Sequence, residues 1–229
     1  MAIIEMKQVT KDYPLGDTTV HALRGVDFSV EEGEFLSIVG PSGSGKTTML
    51  NIIGLIDHAT AGSVRVSGKE VTTMTDSELT DLRLYTIGFI FQTFNLIPVL
   101  NILENVEFPL LLMKSLSKAE VRKRAEYFIE EVGLTPYLTH KPAELSGGQR
   151  QRVAIARALV TKPKIILADE PTANLDTVTS NEILALMQEL NKIEKTTFIF
   201  STHDPEVLQY AQKVVKIRDG VITESGAAH

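Results

Sequence analysis

The residues best suited to chemistry are Gly40-Pro41-Ser42-Gly43-Ser44-Gly45-Lys46-Thr47. They follow the pattern of a glycine, four residues and Gly-Lys-Ser/Thr, set between an apolar run and a helical one. In that pattern the glycines let the backbone wrap a phosphate with its N–H groups, and the next helix points its positive end at the same anion. Lys46 then reaches the β- and γ-phosphates of a nucleoside triphosphate, and the Thr47 hydroxyl is placed to ligate magnesium. The competing reading is a glycine-rich turn that binds nothing; strand, loop, lysine and helix in the required order count against it.

Ile165-Ile166-Leu167-Ala168-Asp169-Glu170 complements that loop, because four apolar residues bury a strand and deliver two carboxylates at its C-terminal end. In open α/β sheets that end faces the ligand. Asp169 would hold magnesium, directly or through water, and Glu170 would polarise the water that attacks the γ-phosphate. Leu145-Ser146-Gly147-Gly148-Gln149 hints at a second anion site, with Ser146 as N-cap and two glycines leaving backbone donors open. On helix physics alone, an ordinary capped helix is the better reading of those five residues.

These groups require a particular set of elements. Phe35 to Val39, Ile165 to Ala168 and Thr197 to Phe200 are continuously apolar, as strands buried on both faces of a parallel sheet are. Val26, Phe28 and Val30 alternate with polar residues, Val64 and Val66 repeat the pattern, and Arg218-Asp219-Gly220 reads as a hairpin turn; these strands are expected to be antiparallel. Helices are expected from Ser117 with Glu120 to Glu131, from Thr75 with Glu78 towards Arg83, over Arg150 to Leu159, and over Asp176 to Lys195 with Thr179 and Glu182 as a capping box. From about Thr93 to Glu144 helices occur without a convincing parallel strand, the pattern of an inserted helical subdomain. Gly226 to His229 is expected to fray.

Composition sets limits. The chain has 229 residues, 43% hydrophobic, with 23 basic and 29 acidic side chains for a net charge of −6. That is one domain, or one with an insertion. The acidic balance counts against a general nucleic-acid binder. Without cysteine, disulfides, thiolate zinc sites and cysteine nucleophiles are excluded. No basic n-region followed by an apolar core opens the chain, so a cytoplasmic protein is expected. Ile87 to Met113 is mostly apolar, but Glu104, Glu107, Pro98 and Pro109 disqualify it as a membrane span. So much apolar sequence calls for burial in the core or against another protein.

Leu145 to Gln149 resembles the signature motif of the ATP-binding cassette (ABC) ATPases, and it lies upstream of the Asp169-Glu170 strand as in that family. The resemblance spans essentially the whole chain. It implies an α/β fold: a P-loop NTPase ABC cassette with a RecA-like parallel-sheet core, an antiparallel β annex and an inserted helical subdomain. The core and annex would occupy 1–92 and 145–229, and the helical subdomain 93–144. ATP and magnesium are the implied cofactors, with Thr48 joining Gly40 to Thr47 among the ATP contacts.

By the same resemblance, Tyr13 matches the aromatic that stacks on adenine, and Gln92 the glutamine that contacts magnesium and water. Asp176, in Ala173-Asn174-Leu175-Asp176, matches the loop that communicates across a dimer, and His203 the histidine that senses the γ-phosphate. Asn174 replaces a commoner alanine. The implied assembly is a head-to-tail pair of chains around two ATP molecules, each held by one chain's phosphate loop and the other's Ser146, Gly147 and Gly148.

Phe91 to Pro98 and Asn105 to Leu110 resemble the branch that powers lipoprotein release, macrolide export and antimicrobial-peptide export; some cell-division cassettes are similar. The expected partner is a separate membrane permease docking near Gln92, which would hold the chain at the cytoplasmic face of the membrane. The rival is a soluble cassette acting on nucleic acid. Such relatives usually carry coiled coils, zinc modules or a second cassette, none of which is present. Arg150, Arg152 and Arg157, like Lys118, Arg122, Lys123 and Arg124, are expected to be solvated or subunit-contacting.

Overall fold

The computed structural model describes residues 2–113 and 115–227. Two sheets organise them. The first holds β1 (Ala2–Leu15), β2 (Thr18–Glu31), β4 (Ala61–Val66) and β5 (Lys69–Glu70), antiparallel in the order β2-β1-β4-β5. The second holds β3 (Phe35–Val39), β6 (Ile87–Ile90), β7 (Ile165–Asp169), β8 (Thr197–Thr202), β9 (Lys213–Arg218) and β10 (Val221–Ala227), in the order β10-β9-β3-β8-β7-β6.

The three continuously apolar runs are the central parallel strands of this second sheet. Their register places Val39 beside Thr202 and Asp169 beside Ser201, so the loops that carry the chemistry leave from one sheet edge. Alternation across the pleat separates two cores. Phe35, Phe198 and Phe200 cluster on one face with ring centroids 5.2–5.6 Å from Phe35, packed with α3 (Ile102–Glu107), α4 (Lys118–Glu131), α5 (Gly147–Leu159) and α6 (Thr177–Glu194). Leu36, Ile38 and Ile199 point to the other, against α1 (Lys46–Ile53), α2 (Asp76–Thr86) and the first sheet.

The expected capping boxes at Thr75–Glu78 and Ser117–Glu120 are present, and Ser146, expected only as an N-cap, forms a further box with Gln149. At α6 the expectation was wrong: Asp176, not Thr179, is the N-cap, and its carboxylate accepts from Thr179 N at 3.0 Å and Thr179 Oγ1 at 2.7 Å. Two further corrections concern the C-terminus. The 218–220 hairpin is antiparallel within itself, yet β9 also pairs parallel with β3 and so extends the core sheet. Gly226 and Ala227 do not fray, since they pair with Val214 and Lys213; Ala228 and His229 lie outside the described residues.

Among the described residues of 93–144 there is no strand. The apolar stretch through this region divides: Ile102, Leu103, Val106 and Leu110 are core, whereas Val99, Phe108, Leu111 and Leu112 are exposed. No described helix is long and apolar enough to cross a membrane.

Candidate functional site

Among the described residues, five of the six α-helices carry a side-chain cap; α1 does not. Its N-cap is Gly45, at φ 107°, and no acidic residue lies in its first turn. The first N–H groups of a helix need partners, and here they face a cleft of about 680 Å³ lined by Tyr13, Ser42, Gly43, Gly45, Lys46, Thr47, Thr48 and Glu170. Gly40 and Gly45 are held to glycine by their surroundings. A Cβ would lie 2.1 Å from the Ile217 carbonyl oxygen at the first and 2.7 Å from that of Ala22 at the second.

Lys46 is buried, its ammonium donating to the carbonyls of Gly40 at 2.8 Å and Pro41 at 3.0 Å. Ser44 Oγ is buried with no partner. An uncapped helix, a buried cation curled on the loop and an orphaned hydroxyl together fit an anion made of phosphates.

The carboxylates sit as their strand predicts. Thr47 Oγ1 donates to Asp169 Oδ2 at 2.9 Å, so two of the three expected magnesium contacts already touch. Glu170 Oε1 lies 3.9 Å from Lys46 Nζ and 3.1 Å from His203 Nδ1. Glu170 adopts φ 46°, a left-handed conformation uncommon for a non-glycine residue. What holds it there is Ser201, which sequence reasoning missed. The buried Ser201 hydroxyl accepts from Glu170 N at 3.0 Å and donates to Asp169 Oδ1 at 2.6 Å, fixing both carboxylate residues.

Other expected residues lie apart. Gln92 is exposed and its side chain reaches neither Thr47 nor Asp169; its carbonyl accepts from Asn174 Nδ2 at 2.8 Å. Asp176 spends its carboxylate on the α6 cap, and those hydrogen bonds from Thr179 hold it below the usual aspartate range. Leu145 is buried, and Gly147 and Gly148 back onto Leu175 and Thr179, away from the cleft. Ser146 Oγ accepts from Gln149 N at 3.2 Å.

The three arginines of α5 are not simply solvated. Arg157 donates to the carbonyls of Phe94 at 2.7 Å and Asn95 at 2.5 Å, two residues with positive φ, and burial lowers its pKa. Arg150 lies over the Phe94 ring, 5.2 Å from its centroid, and Arg152 donates to the Val132 carbonyl. Only the folded path of residues 92–97 reveals the Phe94 and Asn95 partners.

The parallel sheet, the uncapped helix behind a glycine loop and the Lys46–Glu170 pairing define a phosphate-loop nucleotide-binding protein. The chain belongs to the ABC transporter family, whose model matches residues 23–173. It is 47% identical to the macrolide export ATP-binding/permease protein MacB of Syntrophobacter fumaroxidans, over 99% of this chain and 32% of that one. It is 45% identical to the uncharacterized ABC transporter ATP-binding protein YknY of Bacillus subtilis, over 98% of this chain and 97% of YknY.

The chain thus spans about a third of MacB, and 43% of another relative, ABC transporter H family member 2 of Dictyostelium discoideum. Among solved structures, the cassette MJ0796 in a dimeric post-hydrolysis state bound to ADP and Pi superposes with a TM-score of 0.90 at 44% identity, each chain 99% covered.

Proposed function

We propose that this chain is the ATP-hydrolysing subunit of a membrane exporter, working as a head-to-tail pair beneath a separate permease. The carrying observation is Glu170. It stands at a strand end between Lys46 and His203, in a conformation that Ser201 enforces, on the wall of the cleft beside the phosphate loop.

In this reading Lys46 exchanges its loop carbonyls for the β- and γ-phosphates, joined by the N–H groups of Gly43, Gly45 and the first turn of α1. Glu170 Oε1 accepts a hydrogen bond from the attacking water, and His203 steadies that carboxylate and meets the γ-phosphate. Thr47 and Asp169 would hold magnesium, with Gln92 joining when its loop closes; the ion would neutralise charge on the β- and γ-oxygens. Tyr13 would stack on adenine.

The cleft is open, and this chain's own signature residues do not line it. A second copy would close it with Ser146, Gly147 and Gly148, which makes hydrolysis conditional on pairing; MJ0796 has been solved as a dimer. The permease would dock in a second groove, lined by Leu84, Phe89, Phe91, Ile97, Phe108 and Leu112, between the sheet and the helical segment 93–144. The groove is apolar, with exposed Phe108 and Leu112 at hand for an amphipathic helix. MacB, which is named as both ATP-binding protein and permease, supports such a partner. The chain would then lie at the cytoplasmic face of the membrane.

Glu170→Gln provides the test. With ATP and magnesium the variant should accumulate as a dimer in light scattering and release no phosphate. A variant that stays monomeric, or hydrolyses at the parent rate, refutes the assignment. Lys46→Ala should lose the thermal stabilisation by ATP, worth about 2.7 kcal/mol at 100-fold excess over Kd.

A further inference from the structure

Tyr13 does not stand alone. Its hydroxyl donates to Asp57 Oδ2 at 2.6 Å, and Lys11 Nζ pairs with Asp57 Oδ1 at 2.5 Å. The same ammonium lies over the Tyr13 ring, 4.8 Å from its centroid, and donates to the His58 carbonyl at 2.8 Å. Tyr13 lines the nucleotide cleft; Lys11 and Asp57 do not. The ring is therefore held at its rim by Asp57 and on one face by Lys11, while it borders the cleft beside Thr47 and Thr48.

Asp57 is itself anchored. Its N–H donates to the Asn51 carbonyl of α1 at 3.2 Å, within a turn whose neighbour Ile56 N donates to the same oxygen at 2.9 Å. Tyr13 on β1 is thus tied to the phosphate-binding helix through a carboxylate 44 residues away in sequence.

We infer that Lys11 and Asp57 are positioning residues for nucleotide-base recognition: together they lock the Tyr13 ring as a stacking platform at a fixed place relative to the phosphate loop. The inference rests on the reading of Tyr13 as the adenine platform and deepens it. Three features make the lock effective. The hydrogen bond to a carboxylate pins the phenol end of the ring and so stops the side chain swinging about its Cα–Cβ bond. The cation on one face reserves the other for an uncharged aromatic. Pre-ordering both side chains removes rotamer entropy that stacking would otherwise have to overcome. Burial and the bond to Asp57 raise the Tyr13 pKa, so the phenol keeps its proton. Burial acts to raise that of Asp57, but the bonds from Lys11 and Tyr13 outweigh it and hold the carboxylate ionised.

The experiment measures binding of ATP and of inorganic tripolyphosphate to the full chain by calorimetry, because only ATP has a base. Tyr13→Ala should weaken ATP and spare tripolyphosphate. Asp57→Ala and Lys11→Met should each weaken ATP about three- to tenfold, again without changing tripolyphosphate. Lys11→Arg, which keeps the cation on the ring, should restore the ratio, and Asp57→Ala should add nothing in the Tyr13→Ala background. Should Asp57→Ala fail to fold, Asp57→Asn keeps the size and an acceptor while losing the charge, and it should give a smaller shift in the same direction.

If Tyr13→Ala leaves the ATP-to-tripolyphosphate ratio unchanged, the platform reading falls and the lock with it. If Tyr13→Ala shifts the ratio but neither Lys11→Met nor Asp57→Ala does, only the lock is overturned. Equal weakening of both ligands by Asp57→Ala and Lys11→Met would also overturn it, by reducing the pair to scaffolding.

Discussion

Two buried serines on adjacent strands, identical in chemistry and opposite in partnership, allow a sharp test. Ser201 Oγ on β8 donates to Asp169 and accepts from the Glu170 amide. Ser37 Oγ on β3 is equally buried and has no partner. Ser201→Ala removes a hydrogen bond to an ionised carboxylate, about 1.5–3 kcal/mol, and leaves the Glu170 N–H unmatched, about 1–3 kcal/mol. Because Asp169 and Glu170 are only half-buried, water recovers part of this, and a net loss of about 2–3 kcal/mol is expected. Ser37→Ala instead deletes an unsatisfied hydroxyl, whose burial costs about 1–3 kcal/mol. It should be neutral or stabilising.

For a chain of this size each kcal/mol moves Tm by about 2–4 °C. Ser201→Ala should therefore melt about 5–10 °C lower, and Ser37→Ala at or above the parent temperature. The assay is calorimetric melting without nucleotide, with urea midpoints as a second measure. Hydrolysis should separate the pair again, kcat falling at least about tenfold in Ser201→Ala as Glu170 loses its enforced conformation, with ATP affinity changing less. Equal melting shifts for the two variants, within about 0.5 kcal/mol, would refute the reasoning, because burial alone would then explain both.

Two further substitutions probe other parts of the argument. Arg157→Lys cannot reach both the Phe94 and Asn95 carbonyls, and losing one charge-assisted bond should speed amide hydrogen exchange in residues 92–97 about tenfold, read by mass spectrometry; unchanged exchange would mean the arginine does not hold that loop. Glu120 is held below its ordinary pKa of 4.5 by bonds from the Ser117 hydroxyl and amide, so its contribution is complete above pH 4.5 and is lost as pH falls through the lowered folded value. Glu120→Gln keeps the capping acceptor without the titration, so its melting temperature should fall less steeply between about pH 5 and 3; parallel curves would count against the linkage.

What was legible in the sequence was what lies within a few residues along the chain. The phosphate loop and two capping boxes join groups three or four positions apart, and the buried strands announce themselves by unbroken apolar runs. The α6 cap shows the limit of such patterns: Thr179 with Glu182 has the capping spelling, but Asp176 sits where the chain turns into the helix and takes the role. β1 was not read because its alternation is broken by a register shift between Met6 and Val9, with Gln8 at φ 50°. Ser201, Asn174, Arg157 and the Lys11–Asp57–Tyr13 group work through partners on other elements, and nothing local marks those pairings until the strand order is known.

The first sheet also has a mechanical part that the sequence left unassigned. The phosphate loop is enclosed by backbone: the Ala22 carbonyl of β2 presses on Gly45 and the Ile217 carbonyl of β9 on Gly40. Gly220 N donates to Ser44 O at 3.0 Å, and Arg24 N donates to Gly220 O at 2.8 Å, so β2, the turn between β9 and β10 and the phosphate loop form a continuous hydrogen-bonded seam. A glycine-rich loop in isolation would give up much of its binding energy to ordering, since glycine loses more backbone freedom than any other residue. Closing the loop between two sheets meets that entropy during folding, before any nucleotide arrives, and leaves the donors of α1 aimed and unpaired. The annex and the 218–220 hairpin are therefore parts of the phosphate site as much as Lys46 is, through the backbone that encloses the loop.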